Sequence, residues 1–503
     1  MHIVIVGGGL AGLATAKMLR QRLGTSVKIT VLESRDRCGG RVRSVYDRYN
    51  NRLMYESGPW RIAESHRRVR ELCSELELTL QDLHTPTPPT TTAPVSRPGL
   101  SAWEAHALST EDPTAADQAD LHTGYANEMD GAGLTYAPTA NESYSTLREG
   151  FTKLTETLEA RVQGADVRIC TSCQVQDLAV YAQNGQRKYR LTCSRRRHKD
   201  GGFESVRVHA SAVFVCVPPH ACDHWQALRR HARPVLEAVV SKPLNHIYYH
   251  GLHPANMHHM NGRSLLAQTI STQYPQPPNA CADGGDDAFE PPYAPAATAH
   301  ACGWYQLSYS AGRVARFWFN LFVNDVRRFL DLLTRQASAV FDLPRSLRLD
   351  NLRVHFWEHA VHMWRPTPNF SVDAAVAKAR RPHPTALPQL YFVGEAYSKE
   401  QAWMEGALST AYAAVDDFLA RQQKSRADGD PDGDPVQLDA TRHLVIDGRI
   451  LDVSGWARSH PGGESAIRNH MHGKDPDAHD VFSHIGHSGN AWAVIFGLQV
   501  GFV

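Results

Sequence analysis

The segment HIVIVGGGLAGLATAKMLRQRL, residues 2–23, decides the fold of the chain. Its first residues, His2–Val6, have the apolar pattern of a short buried strand, and the apolar residues that follow the glycines recur at helical spacing. Gly7, Gly9 and Gly12 form a G-x-G-x-x-G motif between them. In such a motif the first glycine allows a tight turn, the second lets the backbone approach a pyrophosphate, and the third lets helix and strand pack closely. The segment predicts a dinucleotide-binding unit.

A second strand is predicted at residues 27–32 and ends at Glu33. A carboxylate at this position can accept hydrogen bonds from the ribose diol of a nucleotide, while the N-terminus of the preceding helix attracts its phosphates. A glycine-rich turn in an unrelated α/β core is the alternative. The acid at the end of the second strand favours nucleotide binding over that alternative.

The residues that follow resemble a known family. Residues 37–41, RCGGR, form an R-x-G-G-R motif similar to the one that follows the second strand in the flavin amine oxidase family. Residues 390–411, LYFVGEAYSKEQAWMEGALSTA, are similar to the C-terminal flavin segment of that family. The resemblance covers most of residues 1–422 and implies FAD as the cofactor.

The family resemblance also implies which residues contact FAD. They are Gly7, Gly9, Gly12, Glu33, Gly39, Gly40, Arg41, Val175, Gly394, Glu395 and Met404. Among them, Arg41 can place a cation near the phosphates, and Val175 is expected at the adenine. Covalent members of the family use a cysteine shortly before the C-terminal flavin segment, and none occurs between Asn351 and Leu390. We therefore expect noncovalent FAD.

Two residues are predicted to act on the substrate. Residues 57–61, SGPWR, are similar to a stretch of L-amino-acid oxidases in which G-P-x-R supplies the arginine that grips the substrate's α-carboxylate, and Arg61 falls on that position. A planar guanidinium holds a carboxylate with two hydrogen bonds, which a simple monoamine does not need. Trp403 stands where the family carries an aromatic residue beside the flavin. A structural role for Arg61 and a core position for Trp403 remain the alternatives.

The acid–base groups are less well defined. Family members often use a lysine that holds a water near the flavin, and Lys242 is the only lysine near the comparable strand. The segment VHFWEHAVHMWRP, residues 354–366, is expected to line the substrate side and carries His355, His359 and His362. A neutral imidazole can accept the proton of an amine near neutral pH, but a structural role is open for each of them. We name no general base.

The end of the chain carries a second signature. It contains, in order, D-V-x-x-W at residues 452–456, H-P-G-G at 460–463, G-x-D and G-H-S, and it resembles a cytochrome b5-like haem-binding domain. The resemblance implies haem b with His460 and His487 as its axial ligands. Two imidazoles give a six-coordinate iron suited to electron transfer. A haem-free interaction module is the alternative.

The predicted fold class is α/β, with a Rossmann-like FAD-binding domain of the amine oxidase type interleaved with an α+β substrate domain, and with a small α+β cytochrome b5-like domain. The predicted ranges are FAD-binding parts at about 1–62, 144–245 and 385–423, substrate parts at about 63–143 and 246–384, a linker at 424–435 and the haem-binding domain at 436–503. Loose composition predicts insertions at 83–141 and 273–300.

Individual elements are predicted from their periodicity. Helices are expected at 67–76 and 407–420, and strands at 206–217 and 315–323. The family resemblance adds a middle helix at 144–158.

The composition limits the possible partners. The formal net charge of +1 provides no field for nucleic acid, and 42% hydrophobic and 21% charged residues are typical of a globular protein without a transmembrane segment. Nine scattered cysteines favour a reducing, cytoplasmic location. We expect a small-molecule amine or amino acid as substrate, and oxygen or a redox protein as further partner.

The predicted reaction is oxidation of a primary amine, an L-amino acid in the leading interpretation, to an imine and then an oxo product. Hydride passes to flavin, and the electrons continue to oxygen or to the tail haem. A polyamine or monoamine oxidase and a desaturase-like flavoprotein, each with the tail as a docking module, are the alternatives.

Overall fold

The computed structural model describes residues 1–83, 143–197, 201–252, 302–341, 347–365, 371–427, 438–471 and 477–503. We call residues 1–427 the main domain and residues 438–503 the tail domain. The predicted insertion at 273–300 and nearly all of the one at 83–141 lie outside the described residues. The last helix of the main domain continues to Ala427, into the predicted linker.

The helices and strands are numbered in chain order. The strands are β1 His2–Val6, β2 Lys28–Leu32, β3 Ser44–Tyr46, β4 Leu53–Glu56, β5 Ile62–Ala63, β6 Leu80–Leu83, β7 Tyr144–Leu147, β8 Val167–Cys170, β9 Cys173–Gln183, β10 Gln186–Arg196, β11 Phe203–Ala210, β12 Ala212–Val215, β13 Val239–Leu252, β14 Cys302–Ala311, β15 Leu352–Trp364, β16 Leu390–Phe392, β17 His443–Ile446, β18 Arg449–Asp452 and β19 Gln499–Phe502. The helices are α1 Leu10–Leu23, α2 Arg67–Glu75, α3 Phe151–Val162, α4 Gln226–His231, α5 Arg233–Glu237, α6 Gly312–Asn324, α7 Val326–Phe341, α8 Val372–Arg380, α9 Met404–Ala427, α10 Glu464–Arg468, α11 His479–His484 and α12 Gly489–Leu498.

The main domain is built on a parallel sheet with the strand order β16-β12-β1-β2-β8. In the middle of this sheet Ile5 of β1 is paired with Phe214 on one side and with Val31 on the other. A parallel sheet is covered on both faces, which explains why β1 and β2 are apolar without alternation. The α/β class predicted from the first residues is confirmed.

The two faces of this sheet bury different side chains. Ile3 and Ile5 of β1 join an apolar core with residues of α1, α3 and α9. Val4 and Val6 point to the opposite face and join a core with residues of the antiparallel sheet β11-β10-β9. Because successive side chains of a strand alternate, β1 holds together a layer of helices, the parallel sheet and a second sheet.

A second lobe of the main domain consists of the sheet β14-β13-β15 with helices α6 and α7. Its core includes Ile247, Leu307, Trp318, Phe329 and Leu332. The long strands β13 and β15 pair over most of their length and reach the edge of the parallel sheet. This lobe supplies the wall that faces the carboxyl ends of the parallel strands.

One strand prediction is wrong, and the other is confirmed only as two separate strands. The stretch 315–323 is part of helix α6: its two fully buried residues, Ala315 and Trp318, are three positions apart, while Val323 is 60% exposed. Its aromatic residues have strand propensity, but the spacing of the buried positions is helical. The stretch 206–217 is divided between β11 and β12, which belong to different sheets.

The predicted helices agree with the structure more closely than the predicted strands do. Helices α2 and α9 include nearly all of the predicted stretches 67–76 and 407–420. The predicted middle helix at 144–158 begins only at Phe151, since Tyr144–Leu147 forms strand β7 and Gly150, with a φ of 86°, separates the two elements.

The tail domain contains the antiparallel sheet β17-β18-β19 and helices α10, α11 and α12. Asp447 and Gly448, with φ values of 52° and 67°, form the hairpin turn between β17 and β18, as the Asp-Gly pair predicts. Two residues of α12, Ala493 and Phe496, are buried in the main-domain core that lies beneath β12 and β16. Among the described residues, no helix is both long and apolar enough to span a bilayer.

Candidate active site

The site is a cavity of about 480 Å³ at the carboxyl ends of the parallel strands. Gly7 follows β1, Glu33 follows β2, Cys216 follows β12 and Gly394 lies just beyond β16, and all four line the cavity. Ligands of α/β proteins bind at this edge because the loops after the strands converge there. The volume lies in the range of small-molecule and cofactor sites.

The glycine loop is shaped by close backbone contacts. Gly7 has a φ of 103°, and a Cβ there would lie 2.7 Å from the Cys216 carbonyl. A Cβ on Gly12 would overlap with the carbonyl of Gly7. A Cβ on Gly9, in contrast, would meet only the Gly40 Cα at 4.0 Å, so the backbone at Gly9 is open toward the cavity. These are the separate roles that the motif predicts for its three glycines.

The R-x-G-G-R segment is joined to this loop by backbone contacts. Gly39 N–H donates to the Gly8 carbonyl at 2.8 Å, and Gly9 and Gly39 form an isolated β-bridge. The Glu33 carboxylate is buried, and it accepts hydrogen bonds from Gly8 N–H at 2.7 Å and from Arg35 N–H at 2.8 Å. Both loops and the acid therefore form one rigid wall, which fits the diphosphate and ribose of FAD.

A buried ion cluster lies deeper in the cavity wall. Glu395 Oε1 is 2.6 Å from Arg41 Nη1 and 2.6 Å from His362 Nδ1, and Glu395 Oε2 accepts from Ala402 N–H at 3.0 Å. Burial alone raises the pKa of Glu395, but Arg41 and His362 outweigh it and lower the pKa to about 2. The carboxylate is therefore charged, and it ties the loop of residues 395–403 to Arg41.

The structure brings most of the predicted cofactor contacts together. The predicted residues that line the cavity are Gly7, Gly9, Glu33, Gly39, Gly40, Arg41, Gly394, Glu395, Met404 and Trp403. Gly12 lies beneath the loop against Gly7 and is not part of the cavity wall. Val175 is buried in β9 and lies outside the cavity lining, so its contact with the adenine stays a prediction.

Arg61 lies in a small aromatic side cavity next to the main one. This side cavity is lined by Arg61 and by residues that also line the main cavity, among them Tyr309, Trp403 and Met404. The Arg61 guanidinium carbon is 4.7 Å from the ring centroid of Trp60, 4.6 Å from that of Tyr144 and 5.3 Å from that of Trp403. Cation–π contacts of this kind hold a guanidinium plane in place. The two predicted substrate residues, Arg61 and Trp403, are thus in contact.

Neutral imidazoles line the middle of the main cavity. Burial lowers the pKa of His220 to about 4, with His359, His362 and Arg41 contributing, and burial with His355 lowers that of His246 to about 3. At pH 7 these two rings are uncharged, which is compatible with a substrate amine that reacts as its free base. His220 stacks on His359 with the ring centroids 3.5 Å apart.

Sequence reasoning missed His220, His246 and Tyr309. His220 lies just beyond the carboxyl end of β12, a position that a parallel-sheet topology marks as a site, and this signal could have identified it. His246 and Tyr309 come from β13 and β14, whose register with each other is not visible in the local sequence. The described residues that line the cavity include no lysine, and Lys242 pairs with Val361 along the strand wall.

The two predicted haem ligands each have ring atom Nδ1 next to a backbone carbonyl. His460 Nδ1 is 3.1 Å from the Gly463 carbonyl, and His487 Nδ1 is 2.8 Å from the Phe482 carbonyl. A hydrogen bond at Nδ1 fixes the tautomer and leaves Nε2 to bind a metal. Phe482 stacks on His487 at 3.9 Å, and Ile485 between them in sequence is 64% exposed. These features fit haem with Nε2 of both residues as ligands.

Other aromatic and histidine residues of the tail domain have contacts of a different kind. Phe496, an apolar residue of the tail domain, is buried against the main domain. His479 contacts Ser483 on its own helix, with Nε2 3.3 Å from the hydroxyl. The described residues contain one group with the geometry of a possible metal site, His231, His383 and Asp447, at the boundary between the two domains.

Comparison with known proteins gives two kinds of relatives. Over 82 residues the chain is 43% identical to an L-amino-acid oxidase of Vipera ammodytes ammodytes, and over 81 residues it is 41% identical to one of Trimeresurus stejnegeri. Each match covers 16% of this chain and 16% or 15% of the relative, so the chain spans only a small part of the length of these curated relatives.

A solved structure from Exiguobacterium sp. 255-15, named as a candidate protoporphyrinogen oxidase, superposes with a TM-score of 0.51 over 84% of this chain and 99% of that chain. At 16% identity this likeness shows the fold alone. Residues 10–97 and 101–419 match the flavin containing amine oxidoreductases, and residues 437–503 match the cytochrome b5-like haem/steroid binding domain. The chain therefore belongs to the flavin containing amine oxidoreductase family, as an FAD-dependent enzyme that carries a cytochrome b5-like haem-binding domain.

Proposed function

We propose that this enzyme oxidises the primary amine of an L-amino acid to the imine, which water converts to an oxo acid and ammonia. One observation carries the proposal: Arg61 lies beside Trp403 in the side cavity that adjoins the FAD cavity. A guanidinium at the end of an aromatic pocket is suited to a carboxylate, and the neighbouring FAD cavity is where the amine-bearing carbon must lie. The similarity to snake L-amino-acid oxidases supports the same substrate class.

The residues of the chain prepare the substrate for this reaction. Bound FAD supplies the acceptor for the hydride. Arg61 holds the carboxylate, and the Trp403 ring limits how the amine-bearing carbon can approach, so the reacting bond is oriented. Because His220 and His246 are uncharged at pH 7, they add no positive charge that would repel the substrate ammonium group or hinder loss of its proton.

An amine without a carboxylate is the second candidate. It is favoured by the three rings that surround Arg61, because a guanidinium held by Trp60, Tyr144 and Trp403 can be a structural part of the pocket wall. Aromatic rings also attract ammonium groups directly. In this case the residue would shape the pocket without binding the substrate.

The two candidates differ in how Arg61→Met changes flavin reduction. The experiment is anaerobic stopped-flow reduction of FAD by paired substrates, such as L-leucine and isoamylamine, that differ only in the carboxylate. If Arg61 binds the carboxylate, the variant loses about a hundredfold or more in the apparent second-order rate constant with the amino acid and little with the amine.

Arg67→Met is the control for the loss of one nearby positive charge, because Arg67 begins α2 and its side chain is 77% exposed. This control variant should leave the rate constants of flavin reduction by both substrates unchanged. Equal losses for the amino acid and the amine in the Arg61 variant would contradict carboxylate binding and favour the structural role.

A further inference from the structure

The tail domain is docked on the main domain through a buried apolar contact. Phe496 of α12 is 1% exposed, and its ring stacks on Trp364 of β15 with the centroids 5.9 Å apart and the planes at 11°. Trp364 is itself 1% exposed. Rings that are buried this completely between two domains contribute strongly to their association.

A polar cluster, formed by His231, His383, Asp447 and Arg449, lies at a second point of the same boundary. Arg449 of the tail domain is 1% exposed and donates hydrogen bonds to the main-domain carbonyls of Pro382, at 2.8 Å, and His231. Asp447 Oδ1 is 3.0 Å from His231 Nδ1, and Asp447 Oδ2 is 3.6 Å from His383 Nε2. Asp447 also supplies a negative charge that acts on the buried guanidinium.

This cluster is a hydrogen-bonded contact and not a metal site. The ligand atoms of His231, His383 and Asp447 lie within 4.8 Å of one another, and two imidazoles with a carboxylate are a common set of metal ligands. However, His383 Nδ1 accepts from Ala386 N–H at 3.2 Å, which places the ring proton on Nε2, where it is donated to the Asp447 carbonyl at 2.7 Å. The ring has no remaining lone pair for a metal, and Arg449 already places a cation beside it.

The two ends of α12 are fixed as well. Lys378 Nζ donates to the carbonyls of Phe496, at 2.9 Å, and Gly497, at 3.4 Å, in the last turn of the helix. At the first turn, Arg365 Nη1 donates to Asn490 Oδ1 at 2.5 Å. A helix that is held at both ends, together with the cluster at the β17–β18 turn, allows the tail domain one orientation.

That orientation connects the two cofactor regions. On the main-domain side, Trp364 Nε1 donates to the Ser398 carbonyl at 2.9 Å, and Trp364 N–H donates to Gln401 Oε1 at 2.8 Å. Both partners belong to the loop of residues 395–403, which lines the FAD cavity. Trp364 therefore lies directly behind the cavity wall.

Aromatic rings continue the connection on the tail-domain side. Trp492 lies one turn before Phe496 on α12, and its ring meets the edge of Phe482 at 4.8 Å and 87°. Phe482 in turn stacks on the predicted haem ligand His487 at 3.9 Å. Ring contacts thus lead from the wall of the FAD cavity to Phe496 and from Trp492 to the predicted haem ligand, and one turn of α12 joins these two parts.

We infer that the tail domain stays docked in this one orientation and that its haem receives electrons from the flavin of the same chain across the Trp364–Phe496 contact. That these electrons come from oxidation of an amine rests on the proposed function. Oxidation of one amine delivers two electrons, while haem accepts one. Two successive transfers therefore follow each oxidation, with two protons released to solvent and a one-electron acceptor reoxidising the haem after each transfer.

The docking is tested by cutting the linker. A specific protease site replaces residues 428–434 in the full-length protein with both cofactors, and the cleaved protein is passed over a gel-filtration column while flavin and haem absorbance are recorded. If the tail is docked, both absorbances elute together after cleavage at micromolar concentration. Elution of flavin and haem absorbance in separate peaks directly after cleavage would overturn the inference.

Asp447→Asn tests the polar cluster in the same assay. This variant keeps the size of the side chain but removes a negative charge that acts on buried Arg449. The cleaved domains should therefore dissociate at a protein concentration about tenfold higher than the unchanged cleaved protein does. The matched control is Asp480→Asn, because Asp480 is an exposed acid at the start of α11 in the same domain. If the control weakens docking as much as Asp447→Asn does, the cluster is not the contact that holds the tail.

The electron transfer is tested without any amine. Protein reduced anaerobically with dithionite is mixed with one electron equivalent of ferricyanide, and the haem band is followed. After a rapid oxidation the haem should be reduced again by the flavin, with a first-order rate constant that does not change over a tenfold range of protein concentration.

In the Asp447→Asn protein with an intact linker, the reduction of the haem by the flavin should be slower. A rate that increases with protein concentration, or a haem that stays oxidised while the flavin stays reduced, would overturn the inference. Since no amine is used, these outcomes are independent of whether the proposed substrate is correct.

Discussion

The two cofactor regions of this chain are built by different means. The FAD cavity is formed by loops at the carboxyl ends of parallel strands, so its shape is a consequence of the sheet, and even its acids Glu33 and Glu395 are buried. The predicted haem ligands His460 and His487 lie in a small domain, are partly exposed, and each has one hydrogen bond from its ring to a backbone carbonyl. The first site is fixed by topology, whereas the second is fixed by short turns within the tail domain. Changes in the two regions should therefore have separable effects.

The largest effect is expected at the glycine loop. Gly12→Val would force a side chain into the Gly7 carbonyl, so the loop cannot keep its shape and FAD binding should be lost. The haem spectrum of the tail domain should remain, because its ligands lie on other elements. The measurement is the FAD-to-protein and haem-to-protein absorbance ratio after purification.

Gly455→Ala is the control, since a Cβ at Gly455 meets no atom within 4 Å. It should keep both cofactors. A Gly12→Val protein that retains a full complement of FAD would show that the glycine loop does not shape the cofactor site.

The reciprocal change is His487→Ala. It removes one predicted axial ligand, so the low-spin haem spectrum should be lost while FAD binding is retained. His484→Ala is the matched control, because His484 ends the neighbouring helix α11 and is exposed. Visible spectra of the ferric and ferrous proteins check both variants. If instead His484→Ala loses the low-spin bands and His487→Ala keeps them, the ligand has been assigned to the wrong histidine.

A moderate effect is expected at Lys378. Burial lowers its pKa to about 8, yet its ammonium group donates to two carbonyls at the C-terminus of α12. Lys378→Met should weaken docking of the tail by about 1–2 kcal/mol, because the helix end loses a cation and its hydrogen bonds. Dissociation of the linker-cleaved protein measures this. Lys399→Met, in which an exposed lysine is changed, should have no effect on docking.

The smallest effect concerns pH. Burial, helped by Arg449, lowers the pKa of His383 from 6.5 to about 4 even though Asp447 opposes the shift. The undocked state then binds more protons than the docked state below pH 6.5, so docking should weaken as the pH falls from 6.5 toward 4. Dissociation of the linker-cleaved protein at pH 7.5 and at pH 5 measures the change. His383→Gln should reduce this pH dependence, and docking that strengthens on acidification would contradict the assignment.

The flavin region could be predicted from sequence because its signals are local. The glycine motif, the R-x-G-G-R segment and Glu33 lie within about forty residues of each other, and each requires a particular backbone shape that only certain residues allow. The same holds for the Asp447-Gly448 turn, whose residue types specify its geometry.

The docking of the tail could not be predicted in this way. Arg449 contacts His231 and Pro382, which are 218 and 67 positions away in the chain, and neither sequence neighbourhood has a distinctive pattern. Phe496 illustrates the limit: an apolar residue of a small domain is equally compatible with a haem crevice, a local core and a domain contact. Helix α6 could not be predicted, because its aromatic residues favour a strand and the sequence does not show which of its positions are buried.

The most direct test of the account is the anaerobic visible spectrum of the purified protein before and after mixing with a panel of L-amino acids and the corresponding amines. We expect the flavin absorbance to bleach with an amino acid, and the low-spin haem band to shift to its reduced form afterwards. Failure of every amino acid and amine to bleach the flavin would contradict the proposed oxidation and the assignment of Arg61 and Trp403.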